Sequence, residues 1–150
     1  MFSAADNAAA KSLGIEIIYV EMSGAEAADD AMQRAVSAGA RGVVLRGTPF
    51  YSSAQRRMIV DSATKHRLAV IYEAREYIEQ GGLVSYATDV FDLYRLAAGY
   101  VSRILVGANP GELPIQQPIK FELILNRKAA KAIGLDIPTE LLARADEVIE

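Results

Sequence analysis

Residues 42–46 and 68–72 read Gly-Val-Val-Leu-Arg and Leu-Ala-Val-Ile-Tyr, and residues 53–66 between them carry a helical pattern. Apart from the terminal Arg46, each of the two runs is short and apolar, which is typical of a strand buried on both faces. The tripeptide Gly-Thr-Pro at 47–49 ends the first run before the helix begins. The stretch therefore predicts two parallel strands joined by a crossover helix.

The same alternation extends outward to both ends of the chain. Further strands are predicted at 15–20, 83–87 and 120–125. Helices are predicted at 4–13, 23–38, 53–66, 75–80, 90–106, 126–134 and 139–143. The sequence therefore predicts an α/β fold, a doubly wound, mainly parallel sheet with helices on both faces.

Capping signals mark several of the helix boundaries. Ser23 and Glu26 have the spacing of a capping box, and Asp89 precedes the longest helix. Asn126 and Thr139 are predicted to cap the last two helices, the first of which ends at Gly134.

Composition limits the classes of function. The chain has 150 residues, a net charge of −3, 51% hydrophobic residues and no cysteine. This indicates one globular domain without disulfides or thiolate metal sites, and it does not favour nucleic acid as a partner. No apolar run is long enough for a membrane span, and the segment 1–6 lacks the pattern of a secretory signal. The chain as given is therefore expected to be cytoplasmic.

The chain begins with a helix, whereas a doubly wound unit begins with a strand that lies centrally in the sheet. We therefore expect the first strand to be missing, with a vacant position between 15–20 and 42–46. A buried vacancy would leave backbone groups unpaired at about 1–3 kcal/mol each. A second copy of the chain is expected to cover it, or 83–87 or 120–125 folds back to fill it.

Ligands of open α/β sheets meet the loops at the carboxyl ends of the strands. The polar and aromatic residues in those loops are the candidate ligand-binding residues: Thr48, Phe50, Glu73, Arg75, Tyr86 and Thr88. Phe50 and Tyr86 are suited to stacking on an aromatic ligand, and Arg75 to pairing with a carboxylate. We expect these residues on one side of the sheet. A purely structural role is the alternative for each, including a helix-surface pair of Arg75 with Glu79.

No catalytic constellation is present. His66 is the only histidine and lies at a helix end between Lys65 and Arg67, where a structural role is expected. The sequence has no phosphate loop and no nucleophile elbow. We therefore predict that the protein is not an enzyme and needs no metal or cofactor.

The segments 99–126, 129–135 and 141–149 carry a family resemblance. They read Gly-Tyr-Val-Ser-Arg-Ile-Leu-Val-Gly-Ala-Asn-Pro-Gly-Glu-Leu-Pro-Ile-Gln-Gln-Pro-Ile-Lys-Phe-Glu-Leu-Ile-Leu-Asn, Ala-Ala-Lys-Ala-Ile-Gly-Leu and Leu-Leu-Ala-Arg-Ala-Asp-Glu-Val-Ile. This resembles the C-terminal half of bacterial ABC-transporter substrate-binding proteins of the tryptophan/tyrosine uptake type, receptors with two lobes of the type I periplasmic-binding fold.

The resemblance implies that residues 1–150 are a single ligand-binding lobe, and that 83–118 is a crossover that packs on the first lobe. It implies a small solute such as an aromatic amino acid or other small carboxylate, an ABC permease as partner, and an extracytoplasmic location for full-length relatives. The alternative is a cytoplasmic sensor or oligomeric interaction domain of the same fold. Without the first lobe, the helix 90–106 would be bare, so we expect a homodimer through Leu93, Leu96, Tyr100, Ile104 and Leu105.

Overall fold

The structure, a computed structural model, describes residues 4–46 and 51–150. The helices are α1 (Ala4–Ser12), α2 (Ala28–Ser37), α3 (Ser53–Lys65), α4 (Glu76–Glu79), α5 (Val90–Leu105), α6 (Arg127–Ile133) and α7 (Thr139–Leu142). The strands are β1 (Gly42–Val44), β2 (Ala69–Tyr72), β3 (Val84–Thr88), β4 (Phe121–Asn126) and β5 (Glu147–Ile149). In the described part of the chain, no helix is both long and apolar enough to span a membrane.

The five strands form one sheet in the order β1-β2-β3-β4-β5. β1, β2 and β3 are parallel, β4 runs antiparallel to β3, and β5 is parallel to β4. The predicted α/β class and the mainly parallel sheet with helices are confirmed, as is the parallel pairing of 42–46 with 68–72. The predicted cover of helices on both faces is not complete, because Val44, Ile71 and Tyr86 are exposed on one face.

One face of the sheet is covered by helices and holds the core. Strand residues Val70, Tyr72 and Ile124 lie in one apolar cluster with side chains from α2, α3 and α4. The helix residues in this cluster are Ala28, Met32, Ala35, Ile59, Val60, Ala63, Tyr77 and Ile78. Each large side chain buried here contributes roughly 1.5–3 kcal/mol to folding. This face is therefore the main source of stability.

The prediction of a strand at 15–20 is wrong. Within residues 4–46 and 51–150 the segment has no ladder partner, and Ile15, Ile18 and Tyr19 are exposed. It is held instead by side chains, because the Tyr19 hydroxyl donates to Asn7 Oδ1 at 2.9 Å. A strand needs a neighbour to pair with, and β1 is an edge strand with β2 as its only described partner. The segments 83–87 and 120–125 pair with each other on the far side of β2, so neither fills a position beside β1.

The helix boundaries are partly as predicted. The side chain of Asp89 accepts a hydrogen bond from the Asp92 N–H, and that of Asn126 accepts one from the Ala129 N–H. The Ser23–Glu26 capping box is wrong, because a 3₁₀ turn at Ala25–Ala27 precedes α2. The Thr139 cap is also wrong, because Pro138 takes that position and Thr139 begins α7. The strand β5 was missed, since three residues between Asp146 and Glu150 are too short a signal.

His66 has a structural role at the end of α3. Its Nε2 lies 3.0 Å from Asp29 Oδ1, and Lys65 Nζ lies 2.8 Å from Asp29 Oδ2. The hydrogen bonds from Lys65 and then His66 lower the pKa of Asp29. One carboxylate of α2 therefore holds the C-terminal end of α3.

Gly82 allows the closest approach in the core. A Cβ at this position would lie 2.8 Å from both the ring of Tyr72 and the carbonyl oxygen of Tyr77. Gly99, in the middle of α5, has open space around it. We expect Gly82→Ala to lower the free energy of unfolding by about 1–3 kcal/mol through overpacking, and Gly99→Ala to raise it by about 0.5–1 kcal/mol. Urea denaturation measures both, and equal effects of the two substitutions would contradict the packing.

Ser85 and Asn126 are both buried polar residues of the sheet, but only one is satisfied. The Ser85 hydroxyl has no hydrogen-bond partner among the described residues, whereas Asn126 caps α6. We expect Ser85→Ala to raise the free energy of unfolding by about 1 kcal/mol, because an unpaired buried hydroxyl is removed. The control Asn126→Ala should lower it by about 1 kcal/mol through loss of the cap. A loss of stability in Ser85→Ala would contradict the assignment.

Candidate functional site

A cavity of about 320 Å³ lies where β1 and β2 end and where β3 passes beside them. Its apolar and aromatic lining is Val44, Leu45, Ile71, Tyr72 and Tyr86, and its charged lining is Asp6, Arg46 and Glu73. The carboxyl ends of parallel strands are where sheets of this type bind ligands. The cavity is therefore the candidate ligand site.

The strand register explains why these residues meet. Val44 is paired with Ile71, and Ile71 with Val84, so the three lie side by side on one face. Tyr86 follows two residues later on β3 and shares that face. This is the face opposite the helix-covered core, and Val44, Ile71 and Tyr86 stay exposed on it.

Tyr86 is part of an aromatic platform. Its ring stacks on that of Phe121, with centroids 5.5 Å apart and planes inclined by 19°. Antiparallel pairing sets Phe121 opposite Thr88, which makes it a diagonal neighbour of Tyr86. Tyr86 remains 58% exposed and Phe121 45% exposed. The stacked pair therefore offers a large aromatic surface beside the cavity.

The charged residues of the cavity come from three parts of the chain. Arg46 follows β1, Glu73 follows β2, and Asp6 lies on α1. Arg46 Nη1 is 3.6 Å from Asp6 Oδ2, which ties α1 to the cavity rim. Tyr77 lies near Glu73, and burial together with that carboxylate raises the pKa of Tyr77 to about 12. The cavity thus carries groups of both charges beside aromatic surface.

Arg75 is placed differently from the sequence-based expectation. Its guanidinium lies 2.5 Å from Glu147, 3.7 Å from Glu122 and 3.9 Å from Glu79. Glu122 is paired with Ala87 and Glu147 with Ile124, positions that share the face opposite Tyr86. The hydrogen bond to Glu147, followed by the nearby carboxylates, raises the pKa of Arg75. Arg75 therefore joins β4, β5 and α4 and lies away from the cavity.

The structure thus brings Glu73 and Tyr86 together at the cavity, with Thr88 farther along β3 on the same face. The candidates Thr48 and Phe50 lie outside the described residues. Sequence reasoning missed Phe121 because the antiparallel return of β4 was not predicted. The apolar pattern of residues 120–125 predicts a strand, but it does not indicate that Phe121 meets Tyr86.

α5 is the second feature that points to function. None of its residues is buried, and it packs extensively on no other described element. Of the predicted interface residues, Leu93, Ile104 and Leu105 are exposed, while Leu96 and Tyr100 are half-buried. The Tyr100 hydroxyl donates a hydrogen bond to the Pro114 carbonyl. A second apolar row on α5 is formed by Phe91, Tyr94, Val101 and Leu105, all exposed, of which only Leu105 is among the predicted interface residues.

Comparison with solved structures identifies the fold. A conserved domain protein from Vibrio cholerae is 24% identical with a TM-score of 0.80, over 95% of this chain and 47% of that one. An ABC domain from Streptococcus pneumonia in complex with L-Trp is 20% identical with a TM-score of 0.80, over 95% and 48%. A substrate-binding protein with adhesive properties from Clostridium difficile, in a ligand-free, open structure, is 16% identical with a TM-score of 0.67, over 97% and 48%.

The chain thus spans about half the length of the structures it matches. A search of curated protein sequences gave no match. The profile of one family, described as ABC transporter substrate binding protein, matches residues 6–149. This match extends from α1 through β5, and on that ground the chain belongs to the family of ABC transporter substrate-binding proteins.

Proposed function

We propose that this chain forms one half of the solute-binding cleft of an ABC importer, and that its solute is an aromatic amino acid or a similar small carboxylate. The observation that carries the proposal is the cavity at the strand ends, where Tyr86 and Phe121 stack beside charged Glu73 and Arg46. Proteins of this family bind their substrates outside the cytoplasm, and we propose that the partner is the importer's permease.

The chemistry of the cavity matches a zwitterion with a ring. The Tyr86–Phe121 pair supports an aromatic ring, a contact that contributes about 0.5–1.5 kcal/mol. The Glu73 carboxylate is suited to an ammonium group, and the Arg46 guanidinium would be shared between Asp6 and the carboxylate of the solute. The L-Trp bound to the protein from Streptococcus pneumonia supports this choice of solute class.

Binding by one half of a cleft is expected to be weak. Receptors that close two lobes around a ligand surround it, whereas one surface supplies only part of the contacts. The probe is therefore L-tryptophan at high concentration, observed by chemical-shift changes in NMR or by calorimetry.

The first prediction from this site concerns Tyr86. Tyr86→Ala should weaken L-tryptophan binding by roughly threefold to tenfold, since it removes the stacking surface. The matched control Tyr94→Ala removes an exposed tyrosine of α5 that does not line the cavity. In Arg75→Met, affinity should stay the same while the free energy of unfolding falls by about 0.2–1 kcal/mol, as for an exposed ion network. Unchanged affinity in Tyr86→Ala would contradict the proposed site.

A second proposal follows from the exposed surface of α5: an oligomeric role in which two copies pair through this helix. Two antiparallel copies of α5 would set Leu93 against Ile104 of the other copy. Asp92 in the first turn would then lie near Arg103 in the last turn of the other helix, so the charges are complementary. We propose a two-fold homodimer with this arrangement.

The dimer prediction is tested by analytical ultracentrifugation at micromolar concentration. We expect the wild-type chain to sediment as a dimer, and Leu93→Glu with Ile104→Glu to sediment as a monomer, because four carboxylates would then face one another. This pair leaves the hydrogen bond from Tyr100 to Pro114 intact. The control pair, Phe91→Glu with Ala98→Glu, adds the same charge on the other side of α5, since these two exposed positions are seven residues apart and lie away from Leu93 and Ile104. A wild-type monomer at every concentration, or dissociation by the control pair alone, would overturn the proposal.

A further inference from the structure

The segment 90–119 is attached to the sheet at two adjacent points. The chain leaves the sheet at the end of β3 and returns at the start of β4, and these strands are antiparallel neighbours. Between them lie α5 and the return segment 106–119, in which no residue is buried. We call the segment 90–119 the arm. Its direction relative to the sheet is therefore set largely at its base.

Two residues join the two strands at this base. The Asp89 N–H donates to the Lys120 carbonyl oxygen at 3.1 Å. The Lys120 Nζ donates to Asp89 Oδ2 at 2.5 Å. The side chain of Asp89 is only 8% exposed, whereas that of Lys120 is 58% exposed. A carboxylate this far removed from water needs a partner, and Lys120 supplies it.

The same carboxylate also determines where α5 begins. Asp89 Oδ1 accepts a hydrogen bond from the Asp92 N–H at 3.1 Å, which caps the helix. One side chain thus holds both the first turn of α5 and the first residue before β4. The hydrogen bond from Lys120 lowers the pKa of Asp89, and the pair raises the pKa of Lys120. Both residues are therefore charged at neutral pH.

The pair stands next to the aromatic platform of the cavity. Thr88 precedes Asp89 and is paired with Phe121, which follows Lys120 and stacks on Tyr86. A change in the angle between the strands at Asp89 would therefore move Phe121 relative to Tyr86. The base of the arm and the edge of the cavity are one continuous piece of structure.

We propose that Asp89 and Lys120 are positioning residues that fix the direction in which the arm leaves the sheet. They thereby fix the distance between the cavity and whatever surface packs on α5. The hydrogen bond from the Asp92 N–H to Asp89 does not fix the direction of the arm, because both residues belong to the start of α5. The ion pair crosses from the outgoing strand to the returning one at the base of the arm, beyond the stacked rings of Tyr86 and Phe121. This inference holds whether or not the cavity binds the proposed solute.

The experiment measures the distance between α3 and α5 by double electron–electron resonance between two spin labels. The chain has no cysteine, so Ala54→Cys on α3 and Ser102→Cys on α5 give two unique labelling sites. Labelled chain is diluted into an excess of unlabelled chain, so that only distances within one chain are measured. Asp89→Asn removes the charge and keeps a capping side chain, and Lys120→Met removes the other charge.

We expect each of the two substitutions to broaden the distance distribution, and the double variant to be no broader than the wider of them, because the two residues act as one contact. The control is Arg57→Met on α3. It breaks an exposed ion pair, in which Arg57 Nε lies 2.9 Å from Asp61 Oδ1. It should leave the distribution unchanged. Far-ultraviolet circular dichroism confirms that each variant is folded at the temperature of preparation.

Two results would overturn the proposal. One is an unchanged distribution in both Asp89→Asn and Lys120→Met. The other is an equal broadening in Arg57→Met, which would mean that any lost ion pair loosens the chain. If Asp89→Asn does not fold, Lys120→Met alone decides the matter, since Lys120 is mostly exposed. Ligand affinity does not enter the measurement, so the outcome is separate from that of the L-tryptophan titration.

Discussion

The antiparallel pairing of β4 with β3 determines where the candidate site and α5 are placed on the sheet. It extends the sheet beyond its parallel part and supplies the only described neighbour of β5. It also carries Phe121 to Tyr86 and Lys120 to Asp89. Because the returning strand lies directly beside the outgoing one, everything between them is held at one place on the sheet. The site and the arm are thus two consequences of a single ladder.

The sequence was most informative where a single element carries its own signal. Short apolar runs placed four of the five strands, and the oxygen side chains of Asp89 and Asn126 marked the starts of two helices. The signal failed where pairing decides the outcome. The segment 15–20 has the composition of a strand, yet none of the described strands pairs with it, so it does not form a strand. Glu147–Ile149 is too short to be recognised and becomes a strand only because β4 lies beside it.

The candidate site shows the same division. Glu73 and Tyr86 were predicted from their place after or within a strand, and the cavity does bring them together. Phe121, Glu122 and Glu147 were not predictable in this way, because they come from later strands: Phe121 lies 35 residues from Tyr86, and Glu122 and Glu147 lie 47 and 72 residues from Arg75. A positively charged side chain in a ligand-facing loop is chemically suited to a ligand and equally suited to acidic residues of its own fold. Only the register of β4 and β5 separates these two uses.

The short edge strand β1 has a consequence for the life of the chain after synthesis. Its outer backbone groups have no partner strand within residues 4–46 and 51–150. An open strand edge can pair with a strand of a second chain. In newly made copies this pairing can lead either to ordered assembly or to aggregation. β1 limits this risk by its length of three residues and by the positive charges of Arg41 and Arg46 on either side. We therefore expect the accessible edge of β1 to favour aggregation of newly made chains, and the short strand with its flanking arginines to limit it.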